Sequence, residues 1–212
     1  MTNKALIVRG GWEGHSPTAA TELFLPVLAG AGFDVTVASP TAYGDPALAE
    51  NDLIVQCYTG GMLSAAESAG LCATVAAGSG FAGWHGGVLA SFDDRDYQRM
   101  VGGVFLHHPA ELTTYTVTFD GRYADHPVVA DSADFTVTTE QYWILTDAAN
   151  QTLATTVCHT PDGTPVSMPV IWTRQWGHGR VFVNSLGHSL DDLRHRPTAD
   201  LTERGLLWAA RR

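Results

Sequence analysis

The sequence is short of cysteine, of basic side chains and of long apolar runs, and each shortage removes a class of function. Cys57, Cys72 and Cys158 are odd in number and lack the close pairing of a structural zinc site, which points to a reducing cytoplasm rather than a disulfide scaffold. The N-terminal MTNKALIV run is too short for a secretory signal. No stretch approaches the roughly 20 apolar residues of a membrane span, because charge, Gly or Pro interrupts every candidate. Twelve basic against 22 acidic side chains give a formal charge of -10, which repels phosphate backbones and anionic lipid. Neither nucleic acid nor membrane is an expected partner. The arginines from Arg174 onward alternate with Asp191, Asp192, Asp200 and Glu203, so they form no basic stripe.

What the chain does contain is 45 % apolar residues and 22 glycines in 212 positions, the make-up of a compact α/β protein with many tight turns. One domain covering residues 1–212 is expected. Residues 4–9 (KALIVR), 33–38 (FDVTVA), 52–57 (DLIVQC) and 80–84 (GFAGW) read as buried parallel strands. Helices fall between them. Ser16-Pro17 reads as an N-cap and first helical residue of a helix that Pro26 kinks, and Ser64-Ala65-Ala66-Glu67 is a capping box opening a helix over about 65–77. Further helical stretches follow His85 and start at Asp93 or Asp94. From about residue 112, alternating Thr and apolar residues read as antiparallel strands, and MPVIWTRQ and RVFVNSL form a hairpin about Trp176-Gly177-His178-Gly179. The fold class is therefore a doubly wound, mainly parallel sheet with an antiparallel β elaboration, closed by a C-terminal helix.

In GFAGWHGGV, residues 80–88, the segment Gly83-Trp84-His85-Gly86-Gly87 has the shape of a nucleophile elbow, the sharp strand-to-helix turn that usually carries Ser or Cys. Here it carries histidine. Acyl-enzyme chemistry is thereby disfavoured, with Cys57 and Ser91 as the remaining nucleophiles to consider, and proton transfer or metal binding is favoured. Ligands of open parallel sheets collect beyond the carboxyl ends of the strands. That rule brings His15, His85 and His188 to one rim. With Glu13 or Glu140 they could form a zinc-like divalent-metal site or an acid-base group, although no HExxH-type pair is present. Of the adjacent His107 and His108, at most one can face the site in an extended chain. His126, His159, His178 and His195 read as loop, turn or surface positions. Trp12 and Trp84, flanking the rim histidines, are candidate platforms for a sugar ring, and Tyr142 is placed over the mouth; Trp172 and Trp208 read as core.

The segments GHS (14–16), GFAGWHGG (80–87), VGGVFLHHP (101–109), DHP (125–127), TEQYW (139–143) and PVIWTRQWGHGRVFVNSLGH (169–188) together resemble the ThuA-like, or trehalose-utilisation, family. The resemblance runs along nearly the whole chain. It implies a flavodoxin-like core of the class I glutamine amidotransferase-like kind. In it, His85 stands at the position of the amidotransferase cysteine and His188 near that class's catalytic histidine, which removes glutaminase activity. Two departures stand out: Thr139-Glu140 replaces an expected acidic pair, leaving one carboxylate, and Gly177-His178-Gly179 replaces Gly-Lys-Gly.

The resemblance further implies a carbohydrate-processing enzyme acting on a keto-sugar or glycoside. His15, His85, His188 and Glu140 would be its catalytic groups, with Trp12, Trp84, His108 and Tyr142 on the substrate side. The alternative is a non-catalytic sugar-binding or regulatory protein on the same scaffold. The partner in either case is a small carbohydrate, and assembly as a homo-oligomer stays open.

Overall fold

The computed structural model describes residues 2–211. Its strands are β1 (Asn3–Gly11), β2 (Phe33–Ala38), β3 (Leu53–Thr59), β4 (Gly80–Trp84), β5 (Gly103–His107), β6 (Thr113–Phe119), β7 (Phe135–Thr139), β8 (Trp143–Thr146), β9 (Gln151–His159), β10 (Pro165–Trp176) and β11 (Gly179–Asn184). The α-helices are α1 (Pro17–Glu22), α2 (Leu25–Gly30), α3 (Ala65–Ala76), α4 (Gly86–Leu89), α5 (Arg95–Val101), α6 (Leu190–Arg194) and α7 (Arg196–Ala209). One mixed sheet has the order β2-β1-β3-β4-β11-β10-β9-β6-β7, and β5 and β8 form a separate antiparallel ribbon. The first five strands of that order are parallel. The order β2-β1-β3-β4 is that of flavodoxin-like folds, whose ligand crevice opens where β1 and β3 part. The remaining four strands are antiparallel, as the Thr-alternating segments predicted.

The parallel strands are apolar on both faces because both faces are covered. In β1, Ala5 and Ile7 enter one core cluster with Leu201 and Leu206 of α7, whereas Leu6 and Val8 enter another with Leu71 and Val75 of α3. Successive side chains of a strand point to opposite faces, so one short apolar run serves two cores.

Local signals set most helix ends. Ser64 and Glu67 exchange the two hydrogen bonds of a capping box at the start of α3, and Asp94 caps α5 by accepting from the Tyr97 amide. Between residues 17 and 30 the structure departs from the single kinked helix. The chain breaks at Leu23-Phe24, and Pro26 lies in the first turn of α2, where its missing N–H costs nothing. Ser16 does not cap with its side chain; it adopts a left-handed φ of 46°. The β10–β11 hairpin pairs Trp176 with Gly179 and turns at Gly177, whose φ is +59°. No helix among the described residues is long and apolar enough to cross a membrane.

Candidate active site

The carboxyl ends of β1, β3, β4 and β11 meet at one rim. Trp84 pairs with Asn184 in the parallel β4–β11 register, so the next residues, His85 and Ser185, are neighbours. The His85 amide donates to the Asn184 carbonyl at 2.7 Å, and its ring Nδ1 lies 2.8 Å from the Ser185 carbonyl oxygen. A carbonyl only accepts, so Nδ1 carries a proton; Nε2 presents its lone pair to the rim when the ring is neutral and an N–H to Glu140 when the ring is protonated. His85 has φ 47° and ψ -141° at the N-terminus of α4, a conformation that costs a non-glycine residue about 1–3 kcal/mol. The strand-turn-helix elbow read from the sequence is thus present, with an imidazole at its tip.

On the β1 side, Gly11 pairs with Thr59 of β3, and a 3-10 turn over Glu13–His15 swings His15 over the elbow. Its Nδ1 is 2.8 Å from Thr59 Oγ1. The His15 ring stands edge-on to His85 at 4.9 Å between centroids and to His188 at 5.5 Å, while His85 and His188 are 5.3 Å apart. This approach requires Gly86: a Cβ there would lie 2.2 Å from His15 Cε1. His188 follows β11, and its Nδ1 is buried, lacks a hydrogen-bond partner, and lies 3.3 Å from Glu140 Oε2.

Glu140 comes from the other half of the sheet, between β7 and β8. Its neighbours are pinned: Thr139 Oγ1 donates to Asp192 Oδ2 at 2.8 Å, Gln141 Nε2 donates to the Val157 carbonyl at 3.1 Å, and Tyr115 Oη donates to the Glu140 carbonyl at 3.1 Å. The carboxylate then projects among four imidazoles. Oε2 is 3.0 Å from His85 Nε2, and Oε1 is 3.3 Å from His108 Nε2. His108 Nδ1 lies 2.6 Å from the Pro109 carbonyl, to which it donates. Burial pushes the Glu140 carboxyl up, but the hydrogen bond and charge of His85, with the charges of His188 and His108, outweigh it and hold the group down at about 2. Burial lowers His15 to about 4, and His85 and His188 add to the shift. Burial also lowers His188, an effect that Glu140 opposes and His85 reinforces.

The trio expected from topology is therefore assembled, with Glu140 rather than the exposed Glu13 as its carboxylate; His15, His85, Glu140 and His188 offer ligand atoms within 4.8 Å of one another. His107 and His108 diverge as an extended chain requires: His108 faces Glu140, and His107 stacks on Trp143 at 5.5 Å. Trp12 is 56 % exposed, with its ring 4.7 Å from that of His15, so it keeps a face available to a ligand.

Two placements need correction. Trp84 is not a rim platform: at 2 % exposure it packs on Phe24, 5.0 Å between rings, because the elbow begins only at the next residue. Tyr142 does not lie over the mouth. It is 5 % exposed and stacked on His85 at 4.2 Å, with Oη donating to His85 Nε2 at 2.8 Å. Cys57 is buried in the core and Ser91 lies among Gln56, Gly87 and Tyr97, so neither replaces the missing nucleophile. Burial pushes the Cys57 thiol up to about 12. The sequence reading passed over Thr59 and the Ser185 carbonyl as partners of the rings; each sits at a strand end next to a rim histidine, which was the available signal.

No curated protein matches the sequence. Among solved structures, a putative ThuA-like protein from Bacteroides uniformis has a similar fold at TM-score 0.78 and 20 % identity, over 98 % of this chain and 91 % of that one. A putative ThuA-like protein from Parabacteroides merdae has TM-score 0.80 and 16 % identity, over 99 % and 90 % of the respective chains. A β-galactosidase from Bacillus circulans sp. alkalophilus contains a similar fold in 30 % of its chain, at TM-score 0.64 and 12 % identity. The family described as trehalose utilisation matches residues 4–209, and the chain belongs to that ThuA family.

Proposed function

We propose that the protein is a carbohydrate-processing enzyme of disaccharide utilisation that acts on a keto-sugar glycoside by proton transfer. The observation that carries this reading is the convergence of His15, His85, His188 and Glu140 at one strand-end rim, in a member of the trehalose utilisation family. A ring carbonyl acidifies the neighbouring C–H. If that carbon lies between the carbonyl and the anomeric carbon, removing its proton leaves the electron pair as an enolate, whose collapse expels the glycosidic oxygen. The enolate oxygen would be held at this rim by a hydrogen-bond donor or a bound cation, the preorganised positive charge that stabilises negative charge as it develops.

His108 Nε2, partly exposed at the edge of this centre, carries the proton from carbon to the departing oxygen. The products are an unsaturated keto-sugar and the free second sugar, so atoms and charge balance. Trp12 offers an apolar face for the ring that leaves. A cytoplasmic setting fits the free state of Cys57, Cys72 and Cys158, and a neighbour from Salmonella typhimurium LT2 is described as a cytoplasmic protein.

The test is turnover of trehalose oxidised at a ring hydroxyl, followed by release of glucose and by the absorbance of the conjugated product. Wild type should turn over, His85→Ala and Glu140→Gln should be inactive, and His108→Gln should lose about 10²–10⁴-fold in kcat. Full activity in His85→Ala would reject the reading. Sugar binding without product formation would mean a binding protein on the same scaffold.

A further inference from the structure

We propose that His15, His85, His188 and Glu140 form the ligand set of one divalent transition-metal ion of the zinc class. The inference stands on the geometry of the four side chains and holds whatever sugar the enzyme takes.

The nitrogen assignments are settled by what lies behind each ring. His85 Nδ1–H is committed to the Ser185 carbonyl, so the Nε2 lone pair faces the centre, where it accepts from Tyr142 Oη at 2.8 Å; an ion bound there would take the place of that hydroxyl proton. A backbone carbonyl behind the ring is the usual outer partner of a metal-bound imidazole, because it fixes the tautomer and the plane. His15 Nδ1 is taken by Thr59 Oγ1, leaving Nε2. His188 Nδ1 has no hydrogen-bond partner although it is buried, a state that carries a desolvation cost unless something fills it. All three rings therefore bring a lone pair or an unsatisfied nitrogen to the same anionic carboxylate. Lone pairs directed at an anion repel, and a cation at their centre turns that repulsion into attraction.

The dimensions agree. At about 2.1 Å from zinc, tetrahedral donors stand about 3.4 Å apart. Glu140 Oε2 is 3.0 Å from His85 Nε2 and 3.3 Å from His188 Nδ1, and the widest separation within the set is 4.8 Å. Closing that widest gap takes about 1.4 Å, shared between two side chains. Three imidazoles and one carboxylate, with no thiolate, suit a first-row divalent ion such as zinc, cobalt or manganese better than calcium or magnesium. Such an ion supplies fixed positive charge where the enolate oxygen would be held.

The experiment is metal binding by the chelator-treated full chain, independent of turnover. Zn²⁺ is titrated calorimetrically, bound metal is counted by elemental analysis, and Co²⁺ serves as a spectroscopic probe. One ion per chain is expected, with visible Co²⁺ bands whose intensity reports four- or five-coordination. His15→Ala, His188→Ala and Glu140→Gln should each weaken binding by about 100-fold or more. Thr59→Val, which removes only the partner behind His15, should cost about 10-fold. His178→Ala, in the exposed β10–β11 turn, is the control and should bind as wild type does. Circular dichroism confirms that each variant is folded. The proposal is overturned if folded wild type takes up no stoichiometric Zn²⁺ or Co²⁺, or if the three ligand variants bind as it does. Neither result touches the proton-transfer reading, whose proton carrier is His108 and whose test is turnover.

Discussion

Gly86→Ala tests the packing of the site at a single atom. The added methyl would lie 2.2 Å from His15 Cε1 and 2.8 Å from its Nδ1, against an ordinary carbon contact of about 3.5 Å or more. The His15 ring must therefore retreat by about 1.3 Å, and Trp12, His85 and His188 surround it on the sides it could move toward. Overpacking of this kind costs about 1–3 kcal/mol. The backbone pulls the other way. Gly86 is the first residue of α4 and has no positive φ, so alanine removes up to about 1 kcal/mol of unfolded-chain entropy. The two contributions separate in a double-mutant cycle read by urea denaturation. Gly86→Ala alone should destabilise by about 1–2 kcal/mol, or about 2–8 °C in Tm, whereas in a His15→Ala background the same change should be neutral or stabilising. The activity of Gly86→Ala should fall with the displaced ring. Equal effects of Gly86→Ala in the two backgrounds would refute the close approach of His15 to the elbow.

Other outcomes follow from the same geometry. In chelator-treated protein, folded His15 takes its proton only near pH 4, whereas the unfolded imidazole takes it near 6.5. The unfolded state binds more protons between those values, so stability should fall as pH drops from 6.5 to 4, and His15→Ala should flatten that slope in urea titrations at stepped pH. Glu140 acts at lower pH: its depressed value contributes stability above about 4.3 that is lost as pH falls toward 2. Trp12→Ala should raise KM about 10-fold with little change in stability, since the loss of a stacking face is worth about 1.4 kcal/mol. Trp84→Ala should instead cost about 3–5 kcal/mol of stability in denaturant, because it empties core volume. Thr139→Val breaks the hydrogen bond to Asp192 and should cost about 1–2 kcal/mol, with a larger proportional loss of turnover as Glu140 is freed.

The sequence by itself determined the strands of the parallel half, the capping box of α3, the antiparallel hairpins and the presence of His15, His85 and His188 at one rim. These follow from local periodicity, from capping and turn chemistry, and from one topological rule, and all of them act over a few residues or one strand end. It could not show whether Pro26 bends one helix or starts another, because proline occurs both at kinks and, at no cost, in first turns, and no cap or breaker residue marks the end at Leu23-Phe24. It misplaced Trp84 and Tyr142 for a different reason: Trp84 is still on β4 and points to the opposite side from His85, onto Phe24, whereas Tyr142 reaches His85 only through the long-range return of the chain after β7. Glu140 and its choice over Glu13 were decided only by tertiary structure, since β6 to β10 must pair before the loop after β7 returns across the sheet to Asp192 and the elbow. Long-range pairing brought the carboxylate to the imidazoles, and the orientation of each ring followed from the carbonyl or hydroxyl found behind it.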